Sequence, residues 1–410
     1  MDPQFIWMAP LAESLVYTVV AMPLLVLFRR LPNNLATVGV SGFLVFLGVY
    51  GSVSLIGGLH SWAILIVSFG VAVQTTRLAK AHTDGYHTLV RRTLPWMLAF
   101  FVVGGVVMTV QRWNQEAAVV NALPPVSPLS TNQPPNVLVV VLDTVRADAL
   151  SVYNETAVPT PNLEELAASG VTFQYALSPA SWTFPSHASM FTGEYANQLS
   201  ADWFTPLDGK HPLLAEVLAR RGYENGGFVA NTMYCSRVTG LSRGFARFED
   251  YPVSLSQLLT HSRLLVNVRE SHQGLSRMGL YDRPGRKTGK QITSGFVDWL
   301  DERSQNRPFF AFLNYMDAHD PYLPERLVRE DRELTHEEKV LMKNWRWVVP
   351  SRTEDDLWQL ARSSYESMLC ALDEQIGQLM DELDRRGLRE NTIVVITSDH
   401  GELFGEHGTV

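Results

Sequence analysis

The run Asn136-Val137-Leu138-Val139-Val140-Val141-Leu142-Asp143-Thr144-Val145-Arg146-Ala147-Asp148 opens on an unbroken apolar, β-branched stretch and stops on a carboxylate. An uninterrupted run of this kind makes a strand buried on both faces, as in parallel sheets covered by helices. Related signals follow it. Thr160-Pro161 reads as an N-cap and first helical position, with the helix closing at Gly170. Val171–Ala176, Gly226–Ala230, Phe309–Tyr315 and Thr392–Thr397 read as further strands, and Leu213–Arg220 and Ser363–Arg386 as helices. Alternation of this kind predicts an α/β domain with a mostly parallel sheet flanked by helices. Ser254–Lys290 gives no regular pattern.

Upstream of that domain the composition changes. The 410 residues carry 34 Lys+Arg and 42 Asp+Glu, a formal charge of −8, with 46% hydrophobic and 19% charged residues. The chain as a whole is therefore not disordered, and its acidic balance argues against nucleic-acid binding. Two cysteines, Cys235 and Cys370, exclude a disulfide scaffold and read as single thiols. Residues 1–114 hold seven basic and three acidic residues, and no charge occurs between Leu31 and Thr76. A bilayer core needs about 20 mostly apolar residues per helix. Four spans are expected, at residues 8–28, 38–56, 61–76 and 94–110, within a transmembrane region of 1–114. Arg29, Arg30, Arg77, Lys80, Arg91 and Arg92 fall in two loops on one side. The positive-inside rule makes that side cytoplasmic, leaving the N-terminus and the following domain outside. This implies an integral protein of the plasma membrane with the bilayer as partner. Residues 115–135, with five prolines between Asn121 and Pro135, read as an extended linker.

In open α/β sheets ligands bind beyond the carboxyl ends of the strands. Three expected strands end in candidate ligands: Asp143, then Asp399-His400, and Asp317 with His319 and Asp320. Carboxylate and imidazole together suit zinc or manganese, and carboxylates alone suit calcium or magnesium. Ser181-Trp182-Thr183-Phe184-Pro185-Ser186-His187 places Thr183 just before a helix that Pro185 starts and Gly193 ends. A hydroxyl at a helix N-terminus is either an N-cap or a nucleophile for an anionic group. Arg146 either meets an anionic substrate or pairs with Asp148, and Asp320 and Glu402 read as groups that orient ligands.

Five ordered blocks carry a family resemblance. They are Asn136 to Asp148, Pro161-Asn162-Leu163 with Gly170 to Phe173, Thr183 to Gly193, Tyr315 to Tyr322, and Asn391 to Gly408. Together they resemble the sulfatase family of the alkaline phosphatase superfamily over residues 136–410. The preceding membrane region is similar in layout to lipoteichoic acid synthases and phosphoethanolamine transferases. The resemblance implies that Asp143, Thr183, Asp399 and His400 ligate one divalent metal (Zn, Mn, Ca or Mg). It implies that Thr183 is the nucleophile, and that His319 contacts the transferred or leaving group; His187 and Arg146 are further candidates for substrate contact by their position in the sequence.

The departures from the family pattern bear on substrate. Formylglycine sulfatases carry Cys-x-Pro-Ser-Arg, whereas this chain has Thr183-Phe184-Pro185-Ser186-His187. Threonine oxidation would give a ketone, so no formylglycine is expected. The Lys-x-His block of many arylsulfatases is replaced near Phe228-Val229-Ala230-Asn231-Thr232. Phosphate or phosphodiester chemistry on a lipid, cell-wall or surface-glycan ester is the expectation. A sulfuric ester hydrolase with an unmodified nucleophile, and a non-catalytic surface protein, are the alternatives. Family members continue past the last block, so the domain is expected to be C-terminally incomplete, with His407 either a site residue or a loop histidine.

Overall fold

The computed structural model describes residues 33–53, 61–126, 134–203, 205–250, 286–345 and 355–406. The chain divides into two compact units, one reaching Asn114 and one beginning at Gln115. The expected span at 8–28, most of the irregular stretch after Ser254, and His407 lie outside the described residues.

In the first unit, helix α1 (Asn33–Val53) packs against α2 (Ser61–Ala81). Gly42 permits the approach, because a Cβ there would come within 2.1 Å of Thr76 Oγ1. Ser68 and Thr76 turn their hydroxyls back onto the carbonyls of Ile64 and Ala72, which removes polar groups from an otherwise apolar helix. Among the described residues, one helix, Trp62–Ala81, is long and apolar enough to cross a membrane; Gly39–Tyr50 is a shorter apolar helix. Helix α3 (Thr83–Asn121) follows after His82 alone. The loop expected to carry Arg77, Lys80, Arg91 and Arg92 is therefore helical, because backbone bonds from His82 to Leu78 and from Tyr86 to His82 carry the ladder across. Residues 94–110 lie inside α3, which contains Pro95 and runs seven residues into the stretch read as a linker. Beyond it, the carbonyls of Leu123 and Pro124 accept from the Arg307 guanidinium, which fixes that end of the stretch.

The second unit carries β1 (Asn136–Leu142), α4 (Pro161–Ser169), α5 (Thr183–Thr192), α6 (Leu214–Ala219), β2 (Glu224–Val229), β3 (Arg247–Glu249), α7 (Gly289–Glu302), β4 (Phe309–Tyr315), α8 (His336–Lys343), α9 (Asp355–Arg385) and β5 (Thr392–Thr397). The five strands form one sheet in the order β3-β2-β4-β1-β5, and every pairing is parallel. Side chains alternate between two cores, as a period of two requires. Leu138, Val140 and Leu142 of β1 with Phe309, Ala311 and Leu313 of β4 face α4, α7 and α9. Val141, Phe310 and Phe312 face α5 and α6 on the other side.

Val171–Ala176 is not a strand. Val171, Phe173 and Tyr175 are 82%, 70% and 96% exposed, so among the described residues no neighbouring strand covers them. Short β3 and helix α7 gave no sequence signal, and α9 starts eight residues before the expected Ser363. The register aligns Val141 with both Asn314 and Thr397, and Val229 with Asn314. Four strands therefore end level, and the residues after them share one edge.

Candidate active site

At that edge, Asp143 follows β1, Asn231 follows β2, Asn314 lies near the end of β4 with His319 just beyond, and Asp399-His400 follow β5. Asp143 and Asp399 are both buried. Asp143 Oδ2 accepts from Asn231 Nδ2 at 3.0 Å and from Asn314 Nδ2 at 3.4 Å. Asp399 Oδ1 accepts from the backbone N–H of Thr144 at 3.2 Å and of His400 at 2.9 Å. The opposite oxygens, Asp143 Oδ1 and Asp399 Oδ2, are buried and have no hydrogen-bond partner. His400 Nδ1 donates to the Gly401 carbonyl at 2.8 Å, which leaves the lone pair on Nε2. Nε2 lies 3.9 Å from Asp143 Oδ1 and 3.5 Å from Asp399 Oδ2.

Three ligand atoms of the right type thus lie within 4.8 Å of one another. Buried polar atoms are almost always satisfied, so two orphaned carboxylate oxygens facing one imidazole nitrogen fit a divalent cation. Burial, and for Asp143 the charge of Asp399, raise the pKa of both carboxyls above the usual carboxylate range.

Thr183 is the first residue of α5 rather than the residue before it, and Trp182 takes the capping position in extended backbone. Thr183 Oγ1 lies 3.2 Å from His400 Nε2 and is 3% exposed. The first turn of α5 is tied to the metal-type cluster, because Ser186 Oγ donates to the Asp399 carbonyl at 2.7 Å. Gly193 closes the helix at φ +76°, a conformation that glycine adopts without strain.

The other expected site residues are placed differently. His187 is buried, its Nδ1 bonds the Thr183 carbonyl at 2.8 Å, and burial pushes its pKa down. It braces the first turn of α5 and presents no exposed face to a substrate. Arg146 is engaged by Asp148, by Glu406 at 2.6 Å and by the Glu402 carbonyl. His319 Nδ1 donates to the Asp320 carbonyl at 3.0 Å and lies 2.7 Å from Asp320 Oδ1. Burial alone would lower the His319 pKa, but the bond to Asp320 and the charges of Asp320, Asp143 and Glu402 outweigh it and raise it. His319, Asp320 and Glu402 form a second cluster of ligand-type atoms.

Several functional positions gave no sequence signal. Thr144 holds φ +63°, rare for a β-branched residue, and is kept there by its N–H on Asp399 and by the Tyr365 hydroxyl on its carbonyl at 3.1 Å. Arg286 donates to the carbonyls of Asp317, His319 and Asp320 and so shapes the loop after β4. Asn231 stood where an arylsulfatase block was missing, and Asn314 lay inside a buried strand; only their convergence on Asp143 reveals them.

The carboxyl edge of a parallel α/β sheet thus sets a carboxylate–imidazole cluster against a hydroxyl at a helix N-terminus. Residues 135–410 match the sulfatase family profile, and the chain belongs to the sulfatase family, within the alkaline phosphatase superfamily. It is similar to an ulvan-active sulfatase of Formosa agariphila, 27% identical over 282 residues, covering 66% of this chain and 51% of that protein. It is similar to human iduronate 2-sulfatase, 26% identical over 319 residues, covering 68% and 57% of the two chains. The fold is also similar to a phosphonate monoester hydrolase of Agrobacterium radiobacter, with a TM-score of 0.49, 22% identity, and 66% and 63% of the two chains covered. The chain spans about half the length of the curated relatives it matches.

Proposed function

We propose that the protein is a membrane-anchored, metal-dependent enzyme that hydrolyses or transfers a phosphate-type ester through a covalent intermediate on Thr183. One observation carries the reading: the orphaned oxygens of Asp143 and Asp399 converge with His400 Nε2, which lies 3.2 Å from Thr183 Oγ1. Asp143, Asp399, His400 and Thr183 would hold the ion. A divalent cation there supplies Lewis acidity, which favours the ionised hydroxyl and offsets charge on the oxygens of the transferred group.

Thr183 Oγ1 loses its proton to solvent and attacks phosphorus. The Oγ1–P bond forms as the bond to the leaving oxygen breaks. Protonated His319, with Asp320 behind it, gives its proton to that leaving oxygen. Water, or an acceptor alcohol, then attacks phosphorus as the Oγ1–P bond breaks; the acceptor's proton returns to His319, and Thr183 Oγ1 leaves as the alkoxide and takes a proton back from solvent. The N-terminal end of α5 favours an anionic group beside Thr183.

Threonine in place of cysteine supports phosphorus over sulfur, since it does not yield formylglycine. Sulfate-ester hydrolysis through the same unmodified hydroxyl is the second reading, favoured by the sulfatases among the relatives. The apolar helix Trp62–Ala81 and the uncharged run from Leu31 to Thr76 support an anchor in residues 1–114, with the domain outside the cytoplasm. Such an anchor favours a lipid, cell-wall or surface-glycan ester as substrate.

The test is turnover of paired p-nitrophenyl phosphate mono- and diesters and sulfate ester by the full chain with added Zn or Mn, against Thr183→Ala. Phosphate-ester turnover that disappears in the variant is expected. Sulfate-ester turnover alone overturns the preference for phosphorus, and turnover retained by Thr183→Ala overturns the covalent mechanism.

A further inference from the structure

We infer that Asn231 is a positioning residue for the metal centre: its amide decides which oxygen of Asp143 is offered to a divalent cation, while its other end fixes the wall beside the nucleophile. The inference rests on the metal-dependent reading above. Asp143 and Asp399 reach the same arrangement by different means. Each has one oxygen held by protein donors and one left for a cation. For Asp399 the donors are the backbone N–H groups of Thr144 and His400, which no side-chain substitution removes. For Asp143 they are side-chain amides, and that of Asn231 is the shorter contact, 3.0 Å against 3.4 Å.

The amide of Asn231 has only one consistent orientation. Its Oδ1 accepts from the Tyr234 N–H at 3.1 Å, so Nδ2 is the end that faces Asp143. Its backbone is held as well, with N–H on Asn314 Oδ1 at 2.9 Å and carbonyl accepting from the Cys235 N–H at 2.9 Å. The same side chain therefore sets the path of Tyr234. The Tyr234 ring meets Trp182 edge-on at 5.3 Å, and Trp182, which precedes the nucleophile, stacks on Trp203 at 3.9 Å. Without the amide, Asp143 Oδ2 keeps only the longer bond from Asn314. The carboxylate is then free to turn, and its two oxygens lose their distinction.

Groups that orient a ligand in this way typically change metal affinity by about 10–100-fold when removed. The test titrates the metal-stripped full chain in detergent with Zn2+ or Mn2+ by calorimetry, comparing wild type, Asn231→Leu and Asn231→Ser. Leu matches the size of Asn without its polarity; Ser is smaller, stays polar and is too short to reach Asp143. Both variants are expected to bind the ion about 10–100-fold more weakly, read at a temperature at which each is fully folded, so that any loss of stability from the missing Tyr234 contact stays separate from the affinity. A purely structural role would lower the metal-free melting temperature and spare the affinity. If Asn231→Leu does not fold, Asn231→Ser decides alone. A Ser variant that binds the ion as tightly as wild type overturns the inference and leaves the metal-dependent reading standing. A wild-type chain that binds neither ion overturns both.

Discussion

Asp399→Asn is expected to stabilise the metal-free protein while abolishing its response to metal. The ligand oxygens of Asp143 and Asp399 lie within 4.8 Å of each other in a buried pocket. Two unit charges at that separation repel by roughly 3.5 kcal/mol at an effective dielectric of about 20. Burial adds to the cost, and both carboxyls are raised above their ordinary pKa. The sign follows from linkage. A carboxyl raised in the folded state holds its proton more tightly there than in the unfolded chain. Its contribution to stability is thus complete below the unfolded value, about pH 4, and is lost as pH rises through the raised folded value. Metal-free wild type should therefore melt lower at pH 8 than at pH 5. Asparagine keeps an acceptor for the N–H groups of Thr144 and His400 and turns its NH2 toward Asp143 Oδ1, so most of that loss should vanish. A gain of roughly 3 kcal/mol corresponds to about 5–10 °C for a domain of this size. The assay is thermal unfolding of the full chain with chelator, at both pH values, then with divalent ion, where wild type gains about 2.7 kcal/mol at a hundredfold excess over its Kd. The reasoning is refuted if metal-free Asp399→Asn melts below wild type at pH 8, or if it keeps the full response to the ion.

His319→Gln should remove the alkaline limb of the pH–rate profile. The raised pKa keeps the imidazolium protonated to higher pH, and activity that needs it as a proton donor falls as pH rises through that value. The loss should reach about 10²–10⁴-fold with an alkyl leaving group and be much smaller with p-nitrophenol, which leaves without help; equal losses with both would refute the donor role. Asp373→Ala should lower stability by roughly 3 kcal/mol, read by urea unfolding. Its buried carboxylate accepts from the Asn162 N–H, Asn162 Nδ2 and the Leu163 N–H, at 3.1, 2.8 and 2.8 Å, and so joins α9 to the first turn of α4.

Elements with a strong local signature were legible in the sequence. Phe309–Tyr315 and Thr392–Thr397 form as read because runs of β-branched and aromatic residues favour strands, the first buried throughout and the second at the sheet edge with Ile393 and Val395 exposed. Asp143, Thr183, Asp399 and His400 were legible because each follows such a strand or starts a short helix with its own stop signal. What was not legible depends on partners distant in sequence. Val171–Ala176 has strand composition but no covering neighbour among the described residues. Thr144 takes a left-handed backbone only because Asp399 and Tyr365 hold it, 255 and 221 residues away. His187 stands where the Cys-x-Pro-Ser-Arg pattern of formylglycine sulfatases has its arginine, yet its position inside the first turns of α5 buries it. Arg146 shows the opposite case. Its pairing with Asp148, two residues on, was readable, whereas Glu406 joins it from 260 residues away.

The central claim is that Thr183 carries the transferred group. Rapid acid quench of the metal-loaded enzyme during turnover of a phosphate ester, followed by peptide mass spectrometry, tests it directly. The account predicts a phosphoryl adduct on Thr183 that decays as acceptor is added and is absent from Asp399→Asn. A protein that turns over the ester with the Thr183 peptide unmodified at every quench time, while the group appears on another side chain or only in solution, would contradict it.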